Sequence, residues 1–402
     1  MEATNTEYAD VVAVGARCAG AATALQLARA GLDVVLVDRA TLPRDTTSTH
    51  AIARGGVVQL QRWGLLDALV AGGAPPVRAV TFVQRDHTAA PEVLRLPVKA
   101  KAGVDFLLAP RRWALDALLL DAAVAAGARV LAPTQVSGVL RDGSCRVVGV
   151  TGRDRDGRTV EVRARLVVGA DGVHSRTAGL LGADVLRSHG VSGACFYTYV
   201  AGLDCDGFEF HYAPDAFGGV FPTHHEEACV WLIRPPDHAQ GLVAAGAGRT
   251  EAWSSELDHA LPGLGSRVRA ADVVAPVRGA VGLPNHVRRA TGPGWALVGD
   301  AGYHRDPITG HGITDAFRDA ELLADAVGAW LVDEVPETEA LATYARERDQ
   351  AIRDVFVLTQ DLARFPPTPR FLDLQSRLSR ALDVEARSLA SRPLRSRRLS
   401  SA

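Results

Sequence analysis

The segment that most constrains the fold reads "DVVAVGARCAGAATALQLARAGLDVVLVDRA" and begins at Asp10. A strand-like run leads into Gly15, Gly20 follows five positions later, and an Ala- and Leu-rich helix pattern precedes a second apolar run, Val34–Val37. This β-α-β order with spaced glycines is typical of a unit that binds a dinucleotide. Arg17, however, stands where the middle glycine of G-x-G-x-x-G normally lets the backbone approach a pyrophosphate. The sequence therefore raises the question whether this arginine prevents nucleotide binding or adapts it.

The residues around this turn have separate expected tasks. Gly15 permits the tight turn out of the strand, and Gly20 lets the helix pack closely on the sheet. The helix N-terminus offers free N–H groups and a partial positive charge to a phosphate. Asp38, at the end of the second strand, is placed to accept hydrogen bonds from an adenosine ribose. A lone G-x-x-x-x-G also fits a structural turn, but the strand, the helix and Asp38 in register favour nucleotide binding.

Two later segments also place a polar loop after a strand. In "GADGVHSR", Asp171 follows a β run, an arrangement that by itself fits a type I turn. In "GDAGYHRDPITGHGITDAFRDA", Asp300 follows a strand and can hydrogen-bond a polyol hydroxyl, while Pro307 stiffens the loop. Gly310 and Gly312 bring backbone amides to the start of the next helix. Such a helix N-terminus favours an anion.

Together these three motifs resemble those of the glutathione-reductase-type FAD proteins, and more narrowly the single-component flavin monooxygenases typified by p-hydroxybenzoate hydroxylase. The resemblance spans roughly residues 10 to 330. In that family the first motif binds the ADP half of FAD, the "DG" motif lies near FAD and the NAD(P)H approach, and the "GD" motif holds the ribityl chain and the flavin ring. The resemblance implies non-covalent FAD and these contacts from the three motifs: Gly15, Ala16, Arg17, Gly20, Asp38, Arg39, Asp171, Asp300, Pro307, Gly310, Gly312 and Ile313.

Two further segments carry the same resemblance. The run "APRRWALDALLLDAA" matches the Arg-x-x-Leu helix of the family, which makes Arg112 a FAD contact. Val136 falls where a backbone group meets adenine. The segment "RDTTSTHAIARGGVVQLQRWGLLD" matches the stretch before a Gly-Leu helix end in the family, and this places Ser48 and Thr49 near the cofactor.

The chain also departs from the family pattern. Arg17 replaces a glycine, Ala178 stands where the DG motif usually ends in Arg, and Thr314, near the predicted start of the GD helix, replaces an Asn. The "GDAGYHRDPITGHGI" segment is similar to that of the flavin-dependent halogenases and the geranylgeranyl reductases as well. A halogenase would be expected to show W-x-W-x-I-P and an active-site lysine. The chain has "VWLIRPPD" instead, and its only lysines, Lys99 and Lys101, lie in a polar stretch.

The expected fold is α/β, with a glutathione-reductase-type, Rossmann-like FAD-binding domain built from residues 1–76, 102–188 and 278–335. Short β-prone runs between these pieces predict an interleaved, mostly antiparallel substrate domain from residues 77–101 and 189–277. Residues 336–402 are expected to form a C-terminal helical segment with a basic, frayed tail. Many aromatic residues fall between residues 196 and 231. Such a group is more often core than pocket, but beside a cofactor it would also hold an apolar substrate.

The function that the resemblance implies is hydroxylation or epoxidation of an apolar aromatic, polyketide-like or polyene-like molecule. NAD(P)H would reduce the flavin, O₂ would add at the C4a position, and the hydroperoxide would deliver one oxygen atom. His50, His304 and His311 are candidates for positioning the substrate or moving a proton, with a solvated or structural role as the alternative for each. A flavin-dependent reductase of carbon–carbon double bonds, a halogenase and a non-catalytic FAD-binding protein remain alternatives.

Composition bears on partners and location. The formal net charge of −2 and a pI of about 6.6 give no overall field that would recruit nucleic acid or an anionic membrane. The longest apolar candidate is interrupted by Asp116, Asp121 and Arg129, so we expect no membrane span. Five cysteines without C-x-x-C spacing and a polar N-terminus predict a cytoplasmic protein with no metal site. The oligomeric state stays open.

Overall fold

The computed structural model describes residues 5–85, 90–190 and 193–394. The strands of this part of the chain form three sheets. In chain order the strands are β1 (Asn5–Val14), β2 (Val34–Val37), β3 (Ala79–Gln84), β4 (Glu92–Pro97), β5 (Arg129–Leu131), β6 (Thr134–Arg141), β7 (Val147–Asp154), β8 (Thr159–Gly169), β9 (Val185–His189), β10 (Ala194–Ala201), β11 (Phe208–Ala213), β12 (Ala216–Pro222), β13 (Glu227–Arg234), β14 (Asp272–Val273), β15 (Arg278–Val281), β16 (Asn285–Arg288), β17 (Thr291–Gly292), β18 (Trp295–Leu297) and β19 (Tyr303–His304). The α-helices are α1 (Cys18–Arg29), α2 (Arg54–Arg62), α3 (Leu66–Ala71), α4 (Arg112–Ala125), α5 (Arg176–Leu181), α6 (Gln240–Ala244), α7 (Arg249–Ala260), α8 (Pro262–Arg269), α9 (Gly312–Leu331), α10 (Glu337–Leu362) and α11 (Thr368–Ser391).

The first sheet carries the nucleotide motifs. Its strand order is β17-β18-β8-β1-β2-β5, and β1 pairs in parallel with both β2 and β8, so that Val11 lies between Val34 and Leu166. The four residues of β2 are all apolar and buried, as expected for a parallel strand covered on both faces. The core on one face includes side chains of α1, α4 and α9, and that on the other includes side chains of β7 and α5. The motifs that follow β1, β8 and β18 therefore meet at one edge of this sheet.

The second sheet has the order β14-β10-β13-β12-β11-β3-β4, with β15 also paired to β10. Its pairings are antiparallel except that of β11 with β3. Because side chains alternate along a strand, each face has its own core. One face packs on α10 and α11 and the other packs on α7 and α8. This confirms the predicted inserted sheet, and most of the aromatic residues between residues 196 and 231 lie in the first of these cores.

The C-terminal segment is helical, as predicted, but it stays ordered further than the basic composition suggested. The stretch from Ala386 was expected to be frayed, whereas α11 continues to Ser391. Ala386 and Leu389 are buried, and Leu389 reaches the position where a Cβ on Gly55 of α2 would lie. Apolar contacts thus hold this part of the helix in place. Residues 395–402 of the predicted tail lie outside the described residues.

Helix α9 begins at Gly312, slightly before the predicted start near Thr314. The preceding turn, Pro307–Thr309, is capped by the Asp306 carboxylate, and Gly310 takes a left-handed φ of 59°. This backbone lets the chain enter the helix early. Among the described residues, no helix combines the length and the apolarity that crossing a bilayer requires.

Candidate active site

The turn between β1 and α1 depends on both of its glycines. Gly15 has a φ of 105°, and a Cβ there would lie 2.5 Å from the carbonyl oxygen of Ala170. A Cβ on Gly20 would overlap the carbonyl oxygen of Gly15. The N–H groups of the first turn of α1, from Cys18 onward, have no acceptor within the helix. The turn is therefore a close-packed cradle with free donors, and it fits a pyrophosphate.

Asp38 stabilises this turn from the end of β2. Its Oδ2 accepts the Ala16 N–H at 2.8 Å, and its Oδ1 accepts the Ala40 N–H at 2.8 Å. The Thr134 N–H donates to the Asp38 carbonyl at 2.7 Å, which brings Val136 of β6 to the same edge of the sheet. Asp38 is therefore part of the local structure, and its contact with a ribose stays a prediction.

Arg17 lies beside the turn without strain. Its φ of −98° is extended backbone, so the added side chain costs no unusual conformation at this position. The side chain is half-buried, and burial lowers the pKa of its guanidinium while the nearby carboxylate of Asp116 opposes that shift. Arg39, also predicted to contact FAD, is exposed at the surface next to Asp38.

Arg112 connects the first motif to the third. Its Nη2 donates to Asp116 Oδ1 at 3.0 Å, and the Cys18 thiol donates to the same oxygen at 3.1 Å. Burial alone would lower the pKa of Arg112, but Cys18, Asp116 and Asp300 together raise it above its ordinary value. Sequence reasoning missed the role of Asp116, although its spacing four residues after Arg112 on a helix is a signal for an ion pair.

The GD loop presents a carboxylate and a helix start to the same space. The Cβ of a residue replacing Gly312 would meet only Asp300 Oδ1, at 3.9 Å, so the turn leaves room for a ligand edge there. Burial raises the pKa of Asp300, while His304 opposes this shift. Ile313 follows inside the first turn of α9 and is buried. Together with the open first-turn amides, this arrangement fits a flavin edge and a polyol chain.

Asp306, which the sequence reasoning did not single out, supports this loop. Its Oδ1 accepts the Ile308 N–H at 2.8 Å, and its own N–H donates to Asn285 Oδ1 at 2.6 Å. Its Oδ2 accepts the Gly193 N–H at 2.6 Å, which ties the loop to the start of β10. An Asp directly before Pro307 is a recognisable cap signal, but its partner on β10 is not visible in the sequence.

Asp171 of the DG motif serves helix α5. Its Oδ2 accepts the N–H of Thr177 at 3.0 Å and the Thr177 hydroxyl at 2.9 Å, and Oδ1 accepts the Ser175 hydroxyl. These bonds match the structural-turn alternative. Ala170, directly before it, packs against Gly15, so the DG motif does lie beside the first motif. A direct cofactor contact by Asp171 stays a prediction.

The loop before α2 brings His50 into the centre of the site. The Ser48 N–H donates to the Tyr197 hydroxyl at 3.2 Å, and the Ser48 Oγ accepts the His50 N–H at 3.0 Å. His50 is 1% exposed and has a left-handed φ of 68°, a conformation that is unusual for a non-glycine residue. Its Nε2 makes a short hydrogen bond with the Tyr199 hydroxyl, and its Nδ1 has no protein partner among the described residues. Thr49 lies between Ser48 and His50 and is partly buried.

Charges around His50 keep the imidazole neutral. Burial, followed by Arg112 and Arg111, lowers the pKa of His50 well below its ordinary value. The Arg111 guanidinium lies 3.5 Å above the ring of Tyr199 and is held by Asp45 and Glu227. Burial also raises the pKa of the Tyr199 phenol. The two side chains therefore form a neutral, hydrogen-bonded pair that can hold or pass a proton.

The three candidate histidines lie in different environments. A Cβ on Gly310 would lie 3.9 Å from the Cβ of Ala51. Ala51 therefore adjoins the turn at Gly310–Gly312, which we call the GD turn, and His50 is the residue directly before Ala51. His304 is buried on β19, with Nδ1 at 2.7 Å from the Pro284 carbonyl oxygen. His311 caps α9 and its Nε2 lies 2.6 Å from Glu385 of α11. Only His50 adjoins both the cofactor motifs and the aromatic sheet.

Comparison with known proteins identifies the family of the chain. The family model described as "FAD binding domain" matches residues 8–359. The chain is 28% identical over 376 residues to digeranylgeranylglycerophospholipid reductase 1 of Methanopyrus kandleri, covering 89% of this chain and 90% of that protein. It is 30% identical over 389 residues to menaquinone reductase of Mycolicibacterium smegmatis, covering 91% of this chain and 86% of that protein.

Solved structures share the fold. PqsL, a probable FAD-dependent monooxygenase from Pseudomonas aeruginosa, superposes with a TM-score of 0.76 at 23% identity, covering 92% of this chain and all of that one. The flavin-dependent brominase Bmp2 gives a TM-score of 0.77 at 19% identity, with coverage of 94% and 93%. The expected resemblance is thereby confirmed. The chain belongs to the family of the FAD binding domain, and it is an FAD-dependent oxidoreductase.

Proposed function

We propose that this protein reduces carbon–carbon double bonds of an apolar, isoprenoid-like small molecule. One observation favours reduction over the other reactions of the family: relatives that align over nearly the whole chain, such as those from M. kandleri and M. smegmatis, are reductases. Double-bond reduction was the first alternative to oxygenation in the sequence analysis. FAD would supply the two-electron transfer when bound, with NAD(P)H as the proposed source of the electrons.

The site's own residues supply what such a reaction needs besides electrons. Saturating a double bond adds a hydride to one carbon and a proton to the other. The His50–Tyr199 pair is a buried proton source between the GD turn and the second sheet. Because the pair is shielded from water, a proton that it delivers would have to be replaced through a connected group. Arg111, stacked on Tyr199, fixes the ring orientation.

The apolar substrate would lie at the border of the aromatic core that the second sheet forms with α10 and α11. Rings pack edge to face around Trp231, including Phe217 at 4.8 Å between centroids. At the outer end of this layer, Tyr212 and Phe371 border a cavity of about 330 Å³ that also contacts the α10–α11 connection. A surface of this kind holds hydrocarbon by burial and offers few competing hydrogen bonds.

Oxygenation, the reaction expected from the sequence, is the second candidate. The same enclosure of aromatic rings beside the GD turn would exclude water from an oxygen-activating flavin, and the neutral His50–Tyr199 pair could accept a substrate proton. Halogenation is less favoured. Lys101, one of the two lysines of the chain, pairs with Asp383 on α11 and is 40% exposed, and Lys99 is also exposed.

Anaerobic reoxidation would separate these reactions. The FAD-loaded protein would be reduced with NADPH or dithionite under nitrogen and mixed with geranylgeraniol as a probe. Reduction of a double bond predicts that the flavin reoxidises without oxygen and that the product gains two hydrogens. If reoxidation needs oxygen and heavy-oxygen label from O₂ enters the product, oxygenation is the reaction. If neither occurs with a panel of apolar alkenes and phenols, the protein binds a ligand without this chemistry.

A cytoplasmic location is part of the proposal. All five cysteines are free thiols, and Cys18, Cys195 and Cys229 are buried. Free thiols in this number fit a reducing compartment. Separate extraction of the cytosolic and membrane fractions, followed by detection of the FAD-loaded chain, tests this.

A further inference from the structure

A buried cluster of charges lies directly beneath the turn at Gly310–Gly312. We call it the α9 charge cluster, and its members are Arg305, His311, Asp315, Arg318 and Glu385. Four of these come from the GD segment itself. Glu385 comes from α11, in the C-terminal helical segment. The proposed reaction uses none of the ion pairs in this cluster.

Glu385 makes two contacts at once. Its Oε2 lies 2.6 Å from His311 Nε2, and its Oε1 accepts from Arg318 Nη1 at 2.7 Å. Burial by itself would raise the pKa of Glu385, but His311 and Arg318 hold it well below its ordinary range. The residue is therefore a partly buried carboxylate whose contacts with His311 and Arg318 exist only while α11 is docked against α9.

One ring nitrogen of His311 is buried and unpaired among the described residues, which indicates a further hydrogen-bond partner. Its ring is 2% exposed, and its Nδ1 has no protein partner among the described residues. Buried polar atoms are nearly always hydrogen-bonded. His311 precedes Gly312, where the first-turn amides of α9 also lack intrahelical acceptors. Among the described residues, His311 Nδ1 and the open first-turn amides of α9 are therefore unpaired polar groups in consecutive residues of the turn that fits the flavin edge.

A bound cation is a poorer explanation of the cluster. Ligand atoms of His311, Asp315 and Glu385 do lie within 4.8 Å of one another. However, Arg318 Nη1 already lies 2.7 Å from both Asp315 Oδ1 and Glu385 Oε1, and Arg305 pairs with the other oxygen of Asp315. Two guanidinium groups neutralise the carboxylates where a cation would sit.

The packing of α11 and α9 on α2 couples the position of α11 to that of the Gly310–Gly312 turn. Leu389 of α11 and Thr314 of α9 both contact the position of a Cβ on Gly55 in α2, at 3.1 and 3.0 Å. The space between these helices has no room for an independent shift. Movement of α11 would therefore displace the first turn of α9 as well as withdraw Glu385.

We propose that Glu385 is a positioning residue, which holds His311 and the Gly310–Gly312 turn in the geometry that receives the flavin, so that docking of α11 and binding of FAD are coupled. The inference rests on FAD binding at this turn and not on which reaction follows. Withdrawing Glu385 takes away the acceptor of His311 Nε2 and one of the carboxylates that pair with Arg318, and this favours rearrangement of the turn. By linkage, FAD must then stabilise the docked α11 to the same degree.

Glu385→Gln tests the coupling with little change in shape. Asp373→Asn is the matched control, because it removes a carboxylate from the same helix, where Asp373 is half exposed and pairs with Arg370 of α11 itself. Titration of apoprotein with FAD is expected to show an affinity about tenfold weaker for Glu385→Gln, within the usual range of such coupling, and little change for Asp373→Asn. Equal affinities in the two variants would overturn the proposal.

Hydrogen exchange supplies a second readout, which a merely structural role would not move. In the wild-type chain, FAD is expected to slow amide exchange in α11, and this protection should be largely absent in Glu385→Gln but retained in Asp373→Asn. If FAD binds and leaves α11 exchange unchanged in the wild type, the coupling does not exist. This outcome is separate from failure of the reaction, since no turnover is measured.

His311→Gln removes the same contact from the side of the turn, and it alone tests the proposal if Glu385→Gln does not fold: FAD affinity should again be about tenfold weaker, and unchanged affinity would overturn the proposal. When both single variants fold, the combined variant measures the interaction, because residues that act through one contact are not additive. FAD affinity in the double variant should be no weaker than in the weaker single variant. Independent, additive losses would show that Glu385 does not act through His311.

Discussion

The position and the surroundings of Arg17 lead us to interpret it as an adaptation of the nucleotide site, which does not prevent binding. The backbone there is extended, so it accommodates a side chain. Arg17 directly precedes α1, and its guanidinium lies near the carboxylate of Asp116 in α4. A cation beside a diphosphate can compensate for a slightly longer approach of the backbone.

Arg17→Ala is therefore expected to weaken FAD binding roughly ten- to a hundredfold, as loss of a charge-assisted bond of about 1.5–3 kcal/mol implies. The difference should be larger at low salt, since screening weakens the wild-type contact at high salt. Titration of apoprotein at several salt concentrations measures it. Arg155→Ala removes the same charge from an exposed turn and serves as the control. Unchanged affinity in Arg17→Ala would show that the arginine is only tolerated.

Tyr199→Phe removes the proposed proton donor and keeps the ring beneath Arg111. The expected result is a fall in kcat of about 10²- to 10⁴-fold, the usual contribution of a positioned acid, with little change in KM or FAD affinity. Steady-state kinetics with an alkene that reoxidises the reduced flavin would measure this.

His50→Asn removes the other member of the pair, and Asn tolerates the left-handed φ better than most residues. The two substitutions combined should cost no more than the larger single effect. Wild-type kcat in Tyr199→Phe would rule out the pair as the proton source.

For single residues, the sequence predicts those whose contacts are close to them along the chain. Gly20, which lies against Gly15, and the Asp306 cap each act within a few residues of their own position, and motif spacing reveals the first of these. Tyr199 and Glu385 act on partners 149 and 74 residues away. No local pattern encodes such contacts, because they depend on how the sheets and helices pack.

Among the elements, the β1–α1 turn is the least tolerant of change. Gly20→Ala would force a Cβ into the Gly15 carbonyl oxygen, which is backbone and cannot swing away. We expect a loss of about 1–3 kcal/mol in the free energy of unfolding, together with loss of FAD. Denaturant unfolding and the flavin content of purified protein measure both effects.

Gly179→Ala is the matched control for that substitution. Gly179 lies in helix α5, where an added Cβ meets no atom within 4 Å. Alanine is a better helix former than glycine, so the control should be neutral or slightly stabilising. A similar loss in both variants would mean that the close approach at Gly20 relaxes without cost.

The elements themselves follow well from periodicity and composition. Strand β2 coincides with the predicted run, and the inserted sheet lies where β-prone segments alternate with turns. The first residue of α9 and the continuation of α11 to Ser391 were harder to predict from the sequence. The first depends on a capped turn before Gly310, and the second depends on burial of Leu389 against another helix.

For the whole molecule, buried histidines make stability sensitive to acid. Burial lowers the pKa of His224 and of His286 to about 4, and the pKa of His50 is also well below 6.5. As pH falls below 6.5, the unfolded chain takes up protons that the folded chain does not, so stability is lost. For each pH unit of acidification, each histidine lowers the free energy of unfolding by at most about 1.4 kcal/mol. Burial raises the pKa of Asp319 to about 6, and this group opposes the loss between pH 6 and 4.

The balance predicts a lower free energy of unfolding at pH 5 than at pH 7, which urea denaturation at the two values would measure. His224 accepts the Arg111 N–H through Nδ1, so protonation there also costs a hydrogen bond. His224→Asn keeps an acceptor and removes the titrating group, and its stability should fall less on acidification. An identical pH dependence in this variant would assign the effect elsewhere.

The order of strands in the first sheet sets when this protein can assemble during synthesis. β1 is made first, yet it is enclosed only when β8 has emerged, and β8 in turn pairs with β18 at residues 295–297 of 402. Non-local pairing of this kind folds slowly and leaves apolar strands exposed meanwhile. The contact of Glu385 with the GD turn waits for α11. A ribosome-bound chain would thus lack a complete flavin site until α11 has emerged, and the roughly 300 residues made before β18 would stay exposed to aggregation until then.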